Sequence, residues 1–148
     1  MTEVALITAY AVGAVNALVG LWGAWLWWYV KGSRAYWPAV RAAQVGCIVQ
    51  AVLAGVVYLA AGDRVDDQLY YLYAVLPVFV GFVAEQFRIL SAQSVLDARG
   101  FEDAQAVGLR PEAEQQSVVL AIVRRETGIM ALGCLVIAFL CWRATITL

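Results

Sequence analysis

Histidine is absent from this chain of 148 residues. That removes haem with histidine ligation, histidine-based zinc sites and imidazole general bases. Charge is scarce as well. Asp, Glu, Lys and Arg make up 14% of the chain and nearly cancel, at net −1. With no basic face, nucleic-acid binding is not expected. The three cysteines, Cys47, Cys134 and Cys141, form no CxxC pair, and each falls inside an apolar segment. They read as small apolar packing residues rather than metal or redox groups. No metal and no cofactor is expected. Met1-Thr2-Glu3 is followed by no basic n-region and no short apolar run with a small-residue cleavage site. No signal peptide is therefore expected, and the first apolar stretch reads as a retained span. No internal repeat and no low-complexity segment stands out.

What the chain has in abundance is apolar surface. Hydrophobic residues make up 64% of it, with a mean hydropathy of +0.77. Soluble domains run at about 45–50% apolar, so the fold class expected is an all-α integral membrane four-helix bundle. A span needs about 20 mostly apolar residues. Four segments of a single domain, 1–148, meet that need: about 4–30, 37–61, 69–88 with a helical continuation to 99, and 118–145. The apolar core of the fourth is Thr127 to Trp142, and its helix is expected to begin earlier. Lys31-Gly32-Ser33-Arg34 separates the first two spans, and Gly62-Asp63-Arg64-Val65-Asp66-Asp67 the second and third. Gly100 is well placed as a helix C-terminal glycine. Pro111 with Glu112 and Glu114 reads as a helix start with acids at its positive end. A short amphipathic helix is expected to lead from there towards span four.

Orientation follows from the basic residues. Lys31, Arg34, Arg41, Arg88, Arg99, Arg110, Arg124 and Arg125 fall on one side, and Arg64 and Arg143 on the other. Both termini are expected outside, with the first turn and the connection at about 100–117 in the cytoplasm. The protein is placed in the cell membrane as a multi-pass chain. Trp22, Trp25, Trp27, Trp28 and Trp37 crowd the inner interface. Tyr58, Tyr70, Tyr71, Tyr73 and Trp142 crowd the outer one, as amphipathic rings at headgroup depth do.

Helices in lipid associate through close backbone approach and interhelical hydrogen bonds. Span two carries Ala42, Gly46, Gln50 and Ala54 at successive i+4 positions. Span one offers Gly13 with Ala17, Asn16 with Gly20, and Gly20 with Ala24. Asn16 and Gln50 are candidates for hydrogen bonds between helices. Pro77 lies within span three and removes a helical hydrogen bond to Tyr73. With Gly81 one turn later, a kink is expected there.

The remaining polar residues share one depth. At about 1.5 Å per residue, Glu85 lies roughly 24 Å inward from Leu69, and Glu126 roughly 24 Å inward from Trp142. Arg41, Gln44, Glu85, Arg88, Arg124, Arg125 and Glu126 can therefore form one layer at the inner edge of the hydrocarbon region. Glu85 and Arg88 are i,i+3 on one helix face. Crossed pairs with span four are anticipated, Glu85 with Arg125 or Arg124 and Arg88 with Glu126. An isolated intramembrane charge is expensive and either pairs or faces water. Four arginines against two glutamates leave two positive charges uncompensated, which an anionic lipid headgroup or anionic substrate can balance. Arg41, Gln44, Glu85, Arg88, Arg125 and Glu126 are thus the candidate ligand or ion site. Snorkelling arginines pinned by Glu85 are the plainer alternative.

Glu3-Val4-Ala5-Leu6 at the start and Arg41-Ala42-Ala43-Gln44 opening span two resemble the membrane-associated eicosanoid and glutathione metabolism family, loosely over spans one to three. The resemblance implies four helices, outward or lumenal termini, and a cytoplasm-facing site between subunits of a trimer. It carries over Arg41 alone. Where the family places an Asn and then a Glu, this chain has Val45-Gly46-Cys47-Ile48-Val49, and its connection between spans three and four is longer.

Three functions fit these residues. The leading one is an accessory or scaffold subunit of a membrane assembly, since no nucleophile and base emerge. The second is a homo-oligomeric transporter or channel lined by Asn16, Gln50, Glu85 and Arg88. The third is a membrane enzyme on a lipophilic or thiol-conjugated substrate. The partners expected are membrane lipids, anionic ones included, and either further copies of the chain or other membrane subunits.

Overall fold

The structure is a computed structural model that describes residues 2–61 and 68–147. The turn Gly62-Asp63-Arg64-Val65-Asp66-Asp67 lies outside the described residues. Five helices follow in order: α1 (Thr2–Trp28), α2 (Tyr36–Ala61), α3 (Gln68–Ala98), α4 (Ala104–Gly108) and α5 (Glu112–Ile146). All but α4 are long and apolar enough to cross a membrane. Together they form an all-α, four-helix membrane bundle. The helices alternate in direction around a ring. α1 packs on α2, α2 on α3, α3 on α5, and α5 closes on α1.

The residues turned inward explain the packing. On α2 they are Tyr36, Val40, Ala43, Cys47, Gln50, Ala54 and Val57. On α1 they include Ala5, Ala9, Val12, Asn16, Val19, Gly23 and Leu26. Steps of four and three alternate in both. That is the 3.5-residue period that keeps one face on its neighbours in a left-handed bundle. The strict i+4 row read on α2 is corrected accordingly. Ala42 at its start is exposed and Gly46 only half-buried, while Ala43 and Cys47 carry the seam. Each i+4 step overshoots a full turn by about 40°, so such a row winds off the interface.

Small residues bring the backbones together. A Cβ added at Gly23 would strike the Tyr36 ring and come within 2.9 Å of the Ala131 Cβ. One at Gly20 would meet Leu135 at 2.8 Å, one at Gly13 the Cys141 Cβ at 3.1 Å, and one at Gly133 the Ala84 Cβ at 3.0 Å. Gly13 and Gly20, seven residues apart, therefore seat α1 against α5.

At one end of the bundle Ala5, Ala54, Tyr70, Ala74 and Ala144 pack together. Val12, Cys47, Ile137 and Cys141 fill the middle. Val19, Leu26, Tyr36, Val40, Ala84 and Met130 close the other end. Pro77 is fully buried inside α3, which continues through it to Ala98.

Two helices end at the same face by the same device. At α3, Gly100 has φ 74°, its N–H donates to Asp97 O at 3.0 Å, and the Phe101 N–H donates to Leu96 O at 3.0 Å. This is a Schellman end, with Phe101 packed beside Leu96. At α1 the Lys31 N–H donates to Leu26 O at 2.9 Å, but the residue in the left-handed position is Val30, at φ 52°.

The connection after Gly100 is folded. Asp103 caps α4 by accepting the Ala106 N–H at 2.8 Å. Leu96, Phe101, Val107 and Val118 form a small core beneath it. Pro111 then caps α5, with Glu112 and Glu114 in its first turn. The short separate helix expected before span four is instead the opening of a single 35-residue helix.

Candidate functional site

The seams that pack the bundle also aim its charges. Trp37, Arg41 and Gln44 follow one another by four and three residues on α2, so they share a face. α3 presents Glu85 and Arg88 to that face, and α5 presents Glu126. Glu85 is the hub. Its Oε1 accepts from Arg41 Nη1 at 2.7 Å and from Gln44 Nε2 at 3.0 Å. Its Oε2 accepts from Arg88 Nε at 2.9 Å. Arg88 Nη1 extends the chain to Glu126 Oε1 at 3.4 Å. Arg41 Nη1 also donates to Gln44 Oε1 at 2.7 Å. The Arg88 guanidinium lies over the Trp37 ring, 5.3 Å from its centroid.

The Glu85, Arg88 and Glu126 side chains are only 17%, 23% and 17% exposed, whereas that of Arg41 is 55% exposed. Two arginines face two carboxylates, so this cluster is neutral as a unit. Charge-assisted hydrogen bonds are stronger than neutral ones, and these fasten α2, α3 and α5 at one level.

Not every residue of the anticipated layer joins it. Arg41, Gln44, Glu85, Arg88 and Glu126 come together. Arg125 does not: its Nη1 donates to Ser94 Oγ at 3.1 Å. Arg124 lies over the Trp27 ring at 5.4 Å. Glu85 is thus reached by Arg41 from α2, and by neither Arg124 nor Arg125. α5 advances 100° per residue, so Glu126 meets α3 at Arg88 while Arg125 meets it further along, at Ser94.

Below Glu85 a lateral cleft of about 250 Å³ runs between α2 and α3. Gln44 and Glu85 stand at its polar end, and Cys47, Pro77, Gly81 and Ile137 line its apolar length. Pro77 and Gly81 thus open space against α2.

Asn16 and Gln50 lie at mid-bundle, 1% and 2% exposed. Asn16 Nδ2 donates to Val12 O at 2.9 Å and reaches Cys47 Sγ at 3.7 Å. Gln50 Oε1 accepts from Cys141 Sγ at 3.4 Å. Both amides therefore bridge helices through cysteine sulfur. Asn16 Oδ1 and Gln50 Nε2 have no hydrogen-bond partner among the described residues. All three cysteines are free and buried in the apolar core, as their setting in apolar segments led one to expect, and Cys47 and Cys141 add weak sulfur contacts to the amides. Reading by residue type places Trp37 and Trp27 only in the interfacial belt, and misses their stacking with Arg88 and Arg124 and the part played by Ser94. The four-three spacing of Trp37, Arg41 and Gln44 was the available signal for the first.

Compared with known proteins, the chain matches no protein-family model, no curated protein and no solved structure.

Proposed function

We propose that this protein is a multi-pass subunit of the cell membrane acting as an accessory or scaffold within a larger membrane assembly. The observation that carries the reading is the closure of the intramembrane charge cluster on itself. Charges within spans ordinarily mark substrate, ion or proton paths. Here Glu85 and Glu126 are answered by Arg41 and Arg88 of the same chain. The cluster works as a clamp that holds three helices in register.

The outer surface supplies the means of association. A wholly apolar groove of about 410 Å³ runs between α3 and α5. Its floor is Ala84 and Gly133, and its rim carries Phe79, Phe87 and Leu132. Small floors between larger side chains let a further transmembrane helix approach closely.

Extraction in a mild detergent followed by native mass spectrometry tests this. Heterologous membrane subunits in stoichiometric amounts are expected. A chain that purifies only with copies of itself overturns the reading.

One observation favours a second reading, a homo-oligomeric transporter. The unpartnered amide atoms of Asn16 and Gln50 lie in the bundle interior, where a passing solute would meet them. Flux through proteoliposomes that falls in Glu85→Gln and Arg88→Gln supports that version, and flux unchanged by both abolishes it.

A further inference from the structure

The two arginines outside the closed cluster stand over an apolar groove of their own. This groove, about 600 Å³, opens sideways between α1 and α5. Ala24 and Trp27 form one wall, Gly128 and Leu132 lie along its length, and Leu135 closes the far end. Arg125 and Ser91 stand at the near end. Gly128 lets the Trp27 ring seat against α5 as that wall, since a Cβ would come within 2.8 Å of Trp27 Cδ1. Arg124 is stacked over the same Trp27 ring. Neither Arg124 nor Arg125 enters an ion pair among the described residues.

From these features we infer that the groove binds one phospholipid with an anionic headgroup. Arg125 and Arg124 hold the headgroup phosphate, and one acyl chain lies from Gly128 to Leu135. Three physical arguments agree on this occupant. From Arg125 to Leu135 the helix rises about 15 Å, which is half of a hydrocarbon core about 30 Å thick and hence the depth of one leaflet. The two arginines sit near the level of the Glu85 cluster and of Trp27 and Trp37, the belt that the sequence places at the inner interface, within an arginine's reach of the headgroups. Their charges are answered by no carboxylate, while Trp27 and Ser94 hold both side chains in place, so little freedom remains to be lost on binding. The arginine planes suit a phosphate better than an ammonium would. The site is separate from the α3–α5 groove assigned to a partner helix, although Ile129 and Leu132 border both.

The test uses the purified full chain in neutral detergent, titrated with phosphatidylglycerol or phosphatidylcholine and read by native mass spectrometry. Wild type is expected to retain one phosphatidylglycerol in preference to phosphatidylcholine. Arg124→Gln with Arg125→Gln is expected to lower that preference by about twenty-five-fold, at about fivefold per arginine. Both side chains are exposed, so folding is not at issue, and circular dichroism verifies it. Arg99→Gln with Arg110→Gln removes the same charge from the connection and is expected to change nothing. Leu132→Trp, which fills the groove from an exposed position, is expected to weaken binding of either lipid. Equal retention of both lipids by wild type, or equal losses in the two double variants, overturns the inference. So does a polypeptide cross-linked in place of lipid at Leu135, which lines this groove and not the α3–α5 one. Co-purifying subunits are not needed for this result, so its failure and that of the accessory reading are separable.

Discussion

At the scale of single residues, Glu85 and Val30 carry the most consequence. Glu85 accepts from Arg41, Gln44 and Arg88 together. Removing its charge leaves two guanidinium groups beside one remaining carboxylate in a poorly hydrated place. Glu85→Gln is expected to cost roughly 2–3 kcal/mol, the scale of charged hydrogen bonds lost at a partly buried site. Reversible unfolding in mixed micelles measures it, with the exposed Arg125→Gln expected to fall within about 0.5 kcal/mol of wild type. Val30 differs in kind. A β-branched residue at φ 52° occupies the left-handed region at a cost of roughly 1–2 kcal/mol. The residue is 40% exposed, so little packing depends on it. Val30→Gly is expected to stabilise the fold by about 1 kcal/mol, less the added freedom of the unfolded chain. A lower midpoint for that variant would show that the valine packs against something outside the bundle.

At the scale of helices, the glycines divide by what they face. Gly23 lies where α1, α2 and α5 meet, with Tyr36 and Ala131 against it. Gly55 on α2 has nothing within 4 Å of an added Cβ. Gly23→Ala is expected to lose roughly 1–3 kcal/mol by overpacking, and Gly55→Ala to gain up to about 1 kcal/mol of helix propensity. The same unfolding assay distinguishes them. A symmetric effect at the two positions would mean that α1 and α2 do not meet at Gly23. The sulfur–amide bridges are also an element-scale feature. Asn16 ties α1 to α2 at Cys47, and Gln50 ties α2 to α5 at Cys141.

At the scale of the whole molecule, the interior is closed and one face gathers the basic residues. Cys47, Cys134 and Cys141 are 2%, 4% and 0% exposed. Maleimide labelling of the folded protein is expected to be slow at all three and rapid once it is unfolded in dodecyl sulfate. Fast labelling of Cys141 in the native state would mean that the bundle opens at its centre. The described ends of α1 and α5 lie together, since Ala5 and Ala144 share a cluster. The basic-residue asymmetry expects that end outside and the connection around α4 in the cytoplasm. Cysteines introduced one at a time at Gln105 and at Thr147, probed with an impermeant reagent on intact cells, are expected to label at Thr147 only. Labelling at Gln105 alone would invert the topology.

Apolar runs of about twenty residues, set apart by short charged stretches, determined the four long helices. Lipid leaves the backbone no other partner than itself, so length and hydropathy suffice there. Gly100 and Pro111 marked helix ends because their effects are local to the backbone. That Glu85, Arg88 and Glu126 share one level of the bundle was legible too, since rise per residue is constant along a helix. Which charges meet was not. Pairing depends on rotation about each helix axis, and one residue turns a side chain by about 100°. Tertiary packing alone therefore put Arg41 rather than Arg125 on Glu85, turned Arg124 and Arg125 to the α1–α5 groove, and set the amides of Asn16 and Gln50 against sulfur.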